Sequence, residues 1–199
     1  MFKSLVFKYL MLISPLSALF LVACSEEQED PQTDEIVVNE DYYEYQDFNL
    51  APYEIDATIK LPDETANIGA ATKPEVIHSE GDLYWTLNVG QNFQMTIEDY
   101  ANFTDVIKEE KQTLEDQKKF FKVKYLVEED DLIVYERTLV PSGESKASPT
   151  VGVEHKSYHV CGQKVVNDIT YKLASREEGF EKMIIEIMAK SIRSLQENK

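Results

Sequence analysis

Phe121-Lys122-Val123-Lys124-Tyr125-Leu126-Val127-Glu128-Glu129-Asp130-Asp131-Leu132-Ile133-Val134-Tyr135 is the most instructive stretch of this chain. Phe121, Val123, Tyr125 and Val127 alternate with Lys122 and Lys124, the period of a strand with one covered face. Four consecutive acids, Glu128 to Asp131, interrupt the pattern as a charged turn, and Leu132 to Val140 reads as the returning strand. A hairpin of this kind is barely stable alone, so its apolar face must be covered by other elements.

Those elements lie on both sides. Tyr53, Ile55, Ala57, Ile59 and Leu61 alternate with Glu54, Asp56, Thr58 and Lys60, which predicts a strand over 53–61 ended by Pro62. Glu75 to Ser79 and Leu83 to Val89 flank Gly81-Asp82 as a second hairpin, and Phe93 to Ile97 follows Gly90-Gln91 as a further strand. Ile97, Tyr100, Phe103, Ile107 and Leu114 then recur at steps of three, four or seven, which predicts an amphipathic helix over 98–118. Beyond the opening hairpin, Pro141 to Thr150 reads as a loop. Val151 to Cys161 and Lys164 to Leu173 read as a last hairpin around Gly162. Ser175-Arg176-Glu177-Glu178 has the form of a capping box. The helix expected after it carries Phe180, Ile184, Ile187, Met188, Ser191 and Leu195 on one face, widened by Met183 and Ile192. The expected class is therefore α+β. It comprises an antiparallel sheet of six to eight strands with two main helices packed on one face, in a single domain over 48–199.

The first residues read differently. Lys3 and Lys8 precede an uncharged, mostly apolar run of 14 residues from Tyr9 to Val22. That is short for a bilayer-spanning helix, which takes about 20 residues, and suits the hydrophobic region of a secretory signal peptide. The run closes on Leu21-Val22-Ala23-Cys24, which resembles the lipobox of bacterial lipoproteins. The resemblance implies a signal peptide over 1–23, cleavage after Ala23, diacylglycerol on the Cys24 sulfur and acylation of the new amino group. Several acyl chains would hold such a protein on a membrane far more firmly than one. Ser25 follows the cysteine where an inner-membrane retention signal would carry Asp, so the outer membrane is the expected address. Ser25-Glu26-Glu27-Gln28-Glu29-Asp30 also resembles the acidic stretch that sends some lipoproteins to the cell surface.

From Ser25 to Asp47 there are ten acidic residues and no basic one, so 24–47 reads as a lipidated cysteine with an acidic, disordered tether. Tyr42, Tyr43, Tyr45 and Phe48 near its end are read as a first strand docking its rings on the core, with a contact surface as the alternative. The whole chain carries a net charge of −17. Loss of Lys3 and Lys8 with the signal peptide leaves 18 basic against 37 acidic side chains, or −19. Phosphate backbones repel such a surface, which excludes nucleic acid as a natural partner.

The order of strands, a mid-chain helix, hairpins and a long terminal helix resembles the Mog1/PsbP-like fold. The residues that carry the likeness are Leu61-Pro62, Val165 to Leu173 and Ile192-Arg193-Ser194-Leu195. That family consists mostly of accessory and binding proteins without a shared active site, so the resemblance transfers little chemistry. No cofactor is expected.

Catalytic signatures are missing: no Gly-x-Ser-x-Gly, no phosphate-cradling glycine loop, no His-Glu-x-x-His and no calcium loop. One segment offers donors, Glu154-His155-Lys156-Ser157-Tyr158-His159-Val160-Cys161. On a strand, His155, Ser157, His159 and Cys161 share a face, and two imidazoles with a thiolate suit zinc or copper. Same-face neighbours stand about 6.5–7 Å apart along a strand, so a further ligand such as His78 would be needed. The competing expectation is an inward face with Cys161 buried as a small hydrophobe. The sequence thus points first to a lipid-anchored, non-enzymatic envelope binding protein. A metal- or small-ligand-binding lipoprotein using His155, His159 and Cys161 is the alternative, and a hydrolase with Cys161 as nucleophile matches no known spacing.

Overall fold

The computed structural model describes residues 45–66, 68, 73–140 and 155–198, all within one unit spanning Thr33–Lys199. In chain order the elements are β1 (Tyr45–Asn49), β2 (Ala57–Pro62), β3 (Pro74–Ile77), β4 (Tyr84–Val89), β5 (Phe93–Asp99), α1 (Val106–Asp116), β6 (Phe121–Glu128), β7 (Leu132–Leu139), β8 (Lys156–Val166), β9 (Ile169–Ser175), α2 (Lys182–Ser194) and β10 (Gln196–Glu197). Seven strands form one antiparallel sheet in the order β3-β4-β5-β9-β8-β7-β6, and β1-β2-β10 form a second, three-stranded sheet. The α+β class holds. The expected signal peptide and lipidation site at Cys24, Tyr42, Tyr43 and the 141–154 segment lie outside the described residues.

Strand alternation divides the large sheet into two unlike faces. Trp85, Leu87 and Val89 of β4, Phe93, Met95 and Ile97 of β5, and Tyr171 and Leu173 of β9 turn to one side. There they meet Ile184, Ile185, Ile187, Met188 and Ile192 of α2 and Ala57, Ile59 and Leu61 of β2. Helix α2 thus lies over the large sheet and also touches the small one, which is why so much of its circumference is buried. Each Ile or Leu sunk there contributes about 1.5–3 kcal/mol. On the other face, Ile107 and Leu114 of α1 cover Ile133, Tyr135 and Cys161. The two helices therefore take opposite faces rather than one. Residues 132 and 134 face α2 while 133 and 135 face α1, because both sides of β7 are apolar.

Several boundaries shift for local reasons. The tether expected over 24–47 ends earlier, since Tyr45–Asp47 pair with Lys60–Pro62, and Tyr45 and Phe48 pack on the core as a docked first strand. Tyr53–Asp56 are not strand: Pro52 starts a 3-10 turn and Glu54 takes a left-handed φ of 67°. The mid-chain helix is half the predicted length. Glu98 and Asp99 stay in β5, paired with Lys172 and Tyr171, and the chain turns at Ala101 before α1 begins. Gly162 lies inside β8, and the hairpin turns instead at Asn167-Asp168, whose φ values of 49° and 64° suit a two-residue primed turn. Ser175-Arg176-Glu177-Glu178 caps nothing: Ser175 ends β9, its Oγ accepts from the Val160 N–H at 3.2 Å, and α2 starts seven residues later at Lys182.

Candidate functional site

On the α1 face the helix covers only part of the sheet. Beside it the polar alternates of the core strands are left facing a cleft of about 440 Å³. Thr86 of β4 and Gln94, Thr96 and Glu98 of β5 form its floor, with Tyr84 at the rim. Period-2 alternation places them there, since their neighbours Trp85, Leu87, Met95 and Ile97 are committed to the α2 core.

One wall is Glu110 of α1. Its Oε1 accepts from the Tyr135 hydroxyl at 3.0 Å and its Oε2 from Lys172 Nζ at 2.9 Å, so one carboxylate ties the helix to β7 and β9. Burial alone would lower the Lys172 pKa. Coupling to Cys161 and the charge and hydrogen bond of Glu110 outweigh it and hold the ammonium above its ordinary range. The Cys161 thiol is neutral at pH 7, so the Glu110 carboxylate is the charged partner there. Burial, then Glu110, pushes the Tyr135 phenol upward.

The far end is built from β7, β8 and the turn after β9. Arg137 lies with its guanidinium 3.9 Å from the Phe121 ring centroid and opposite Ser157 in register. His159 is 2% exposed, stacks on Tyr135 at 5.2 Å, and has Nε2 2.8 Å from Ser157 Oγ. Burial, then the Arg137 charge, lowers its pKa to about 4, so the ring is neutral at pH 7. Arg176, also in the lining, stacks 4.1 Å over Phe180 and donates from Nε to the Gly179 carbonyl at 3.2 Å.

Ser157 and His159 are the nearest approach to a nucleophile and base among the described residues. The base titrates well below neutral pH, and no carboxylate orients its other nitrogen. The arrangement holds and orients polar groups.

The donors read from the sequence are not drawn together. His155 is exposed at the start of β8 and lines a separate cavity beside Phe180. His159 sits in the cleft, and Cys161 is 1% exposed under α1. His78 lies at the β3–β4 turn, stacked 4.7 Å from Trp85, with its nitrogens 3.1 Å from the Tyr84 carbonyl and from Glu54 Oε2. Burial disfavours charge on that ring, but those two acceptors raise its pKa overall. Among the described residues no three His, Cys, Asp or Glu side chains form a metal-sized cluster.

Burial, followed by Glu110, pushes the Cys161 thiol up to about 12. We expect the folded Cys24→Ala variant to take up no iodoacetamide at pH 7.5, and one equivalent after unfolding. Labelling of the folded chain at the rate of a free thiol would show that α1 does not cover Cys161.

The residues that shape the cleft, Thr96, Glu110, Arg137, Lys172 and Arg176, carry no motif. Thr96 shows only as a polar residue alternating with core ones, and Glu110, Arg137, Lys172 and Arg176 only as ordinary charged positions. Comparison with protein-family models, curated proteins and solved structures finds no match to this chain.

Proposed function

We propose that this protein is a lipid-anchored bacterial envelope component whose α+β domain is a binding module rather than a catalyst, with the cleft beside α1 as its binding site. The observation that carries the reading is the cleft itself. Hydrogen-bonding side chains from β4, β5, β7, β8 and β9 converge on it from a rigid sheet, without an activated nucleophile. Preformed polar clefts on rigid strands suit recognition, because little ordering is needed when a ligand arrives. The attachment comes from lipid on Cys24, with the outer membrane as the favoured address and the acidic stretch behind it as a route to the surface. Among the described residues no helix is long and apolar enough to cross a membrane. The resemblance to the Mog1/PsbP-like family points to the same accessory role.

Chemical cross-linking in intact cells, then affinity capture of the tagged full-length chain, tests both parts. Cys24→Ala removes the anchor, and Thr96→Arg fills the cleft floor with a long side chain. We expect one envelope component to be recovered with the native chain and lost with each variant, and Cys24→Ala to leave the membrane fraction. Undiminished recovery with Thr96→Arg would remove the cleft from the reading. Membrane retention of Cys24→Ala would remove the anchor.

A further inference from the structure

We propose that the Arg137 end of the cleft binds an oxyanion, the carboxylate or phosphate of a hydroxyl-rich ligand whose neutral part lies along Thr86, Gln94 and Thr96. This rests on the cleft being the binding site, and adds the charge of what it holds.

With 37 acidic and 20 basic side chains, a carboxylate is close to most cations of this chain. Arg193 shows the ordinary outcome, its fork set on Glu129 at 2.7 and 3.4 Å. Arg137 has no carboxylate within 4.0 Å among the described residues. Its one hydrogen bond is a long contact of 3.5 Å from Nη1 to the Glu177 backbone carbonyl, and its Nε is buried without an acceptor. Among the described residues nothing accepts from Nη2, and the enclosed Nε leaves the Nη nitrogens as the donors available to a ligand. In a chain this acidic, a guanidinium without a carboxylate beside a cleft points to an acceptor supplied from outside.

The surroundings agree. Phe121 holds the guanidinium plane fixed, which leaves its in-plane donors for a bidentate partner. Arg176 adds a second guanidinium to the lining, and its one carboxylate neighbour among the described residues, Glu178, is 3.9 Å away with a side chain 78% exposed. Of the acids that line the cleft, Glu110 is matched by Lys172 and Tyr135, Glu98 stands opposite Lys172 in register, and Glu177 lies beside Arg176, so the two guanidiniums must outweigh Glu177 to hold an anion. The floor then determines the rest of the ligand: two threonine hydroxyls and an amide suit hydroxyl groups, not an apolar tail.

The test is isothermal titration of the full-length lipidated protein in detergent micelles with D-glucuronate, glucose 6-phosphate and glucose. We expect saturable binding of at least one charged probe, with glucose at least about tenfold weaker. Arg137→Gln is expected to weaken the charged probe about 10- to 100-fold, with Arg137→Lys recovering part of the loss. Exposed Arg176→Gln gives a second weakening that cannot be ascribed to unfolding. No saturation by either charged probe, or unchanged affinity in both glutamine variants, would overturn the proposal. Equal binding of glucose would overturn it too, while leaving the cleft in place as a neutral-sugar site. Loss of partner capture only with Thr96→Arg would likewise separate the cleft from its charge.

Discussion

Gly162→Val lowers the stability of the domain by about 3 kcal/mol, and Gly162→Ala by rather less. The reason is the approach of α2 to the sheet. A Cβ at residue 162 would overlap Cγ2 of Ile192, and would stand 3.5 Å from Leu132 Cδ1 and 3.6 Å from the Asp131 carbonyl. Ile192 cannot swing aside cheaply, since β-branched side chains on a helix hold one χ1 rotamer. Helix α2 must then lift as a body, loosening its contacts with the large sheet and with β2 together. In a domain of about 150 residues, 3 kcal/mol corresponds to a fall of roughly 6–12 °C in Tm. A double-mutant cycle checks the cause: Ile192→Ala removes the overlapped methyl, so the pair Gly162→Ala with Ile192→Ala should lose less than the sum of the two. A Gly162→Val protein that melts within a degree of the native one would show that α2 is not held by this close contact.

Gly179→Ala is the second large effect, and it reaches the cleft. Gly179 has φ +74°, and a Cβ there would lie 2.6 Å from the Tyr158 carbonyl and 2.7 and 2.8 Å from Cε1 and Nε2 of His159. The left-handed backbone costs about 1–2 kcal/mol for an L side chain, and the collision adds to it. The collision falls on the paired bridge between Tyr158 and Phe180, and on the ring that stacks against Tyr135. His159 is therefore expected to leave its buried place, and its pKa to rise from about 4 toward the ordinary value near 6.5. The sign for native protein follows. Between about pH 6.5 and 4 the unfolded chain binds a proton that folded His159 refuses, so stability falls as pH falls through that window. Gly179→Ala should be less stable at pH 7 by roughly 2–4 kcal/mol and should lose less on acidification. Urea unfolding at pH 7 and pH 5, with histidine ring NMR, measures both. An unchanged His159 titration would detach Gly179 from the cleft.

The parts of this fold that could be read from the chain are those where one physical signal acts alone. Phe121 to Val127 alternates and turns on four acids before a returning apolar run, and the described strands β6 and β7 follow this reading, with only a bulge at Leu126. Gly162 failed as a turn marker because a glycine inside a strand can also mark a close neighbour, and Asn167-Asp168 supplied the turn. Ile97, Tyr100 and Phe103 imitated helix spacing by chance, since the pairing of Glu98 and Asp99 with β9 overrides local period. The cleft was illegible for a related reason. Thr86 and Thr96 are the outward members of alternating runs, and Arg137 stands in the polar end of β7; such positions read as solvated from the chain alone. Only the strand order, with α1 falling short of β4 and β5, brings them to one hollow.

The placing of β1 and β10 on either side of β2 governs the order in which the domain is completed. Thr58 Oγ1 donates to the Asn198 side chain across 140 residues, and Asn198 also reaches Asn49 across 149. Closing so long a loop carries an entropic cost that local hairpins such as β6-β7 escape, so the small sheet forms after the large one. A chain delivered N-terminus first holds β1 and β2 ready long before their third strand, β10, emerges. Removal of the final few residues would leave β2 with a bare edge under α2, and the site at which folding finishes would become the site at which unfolding begins.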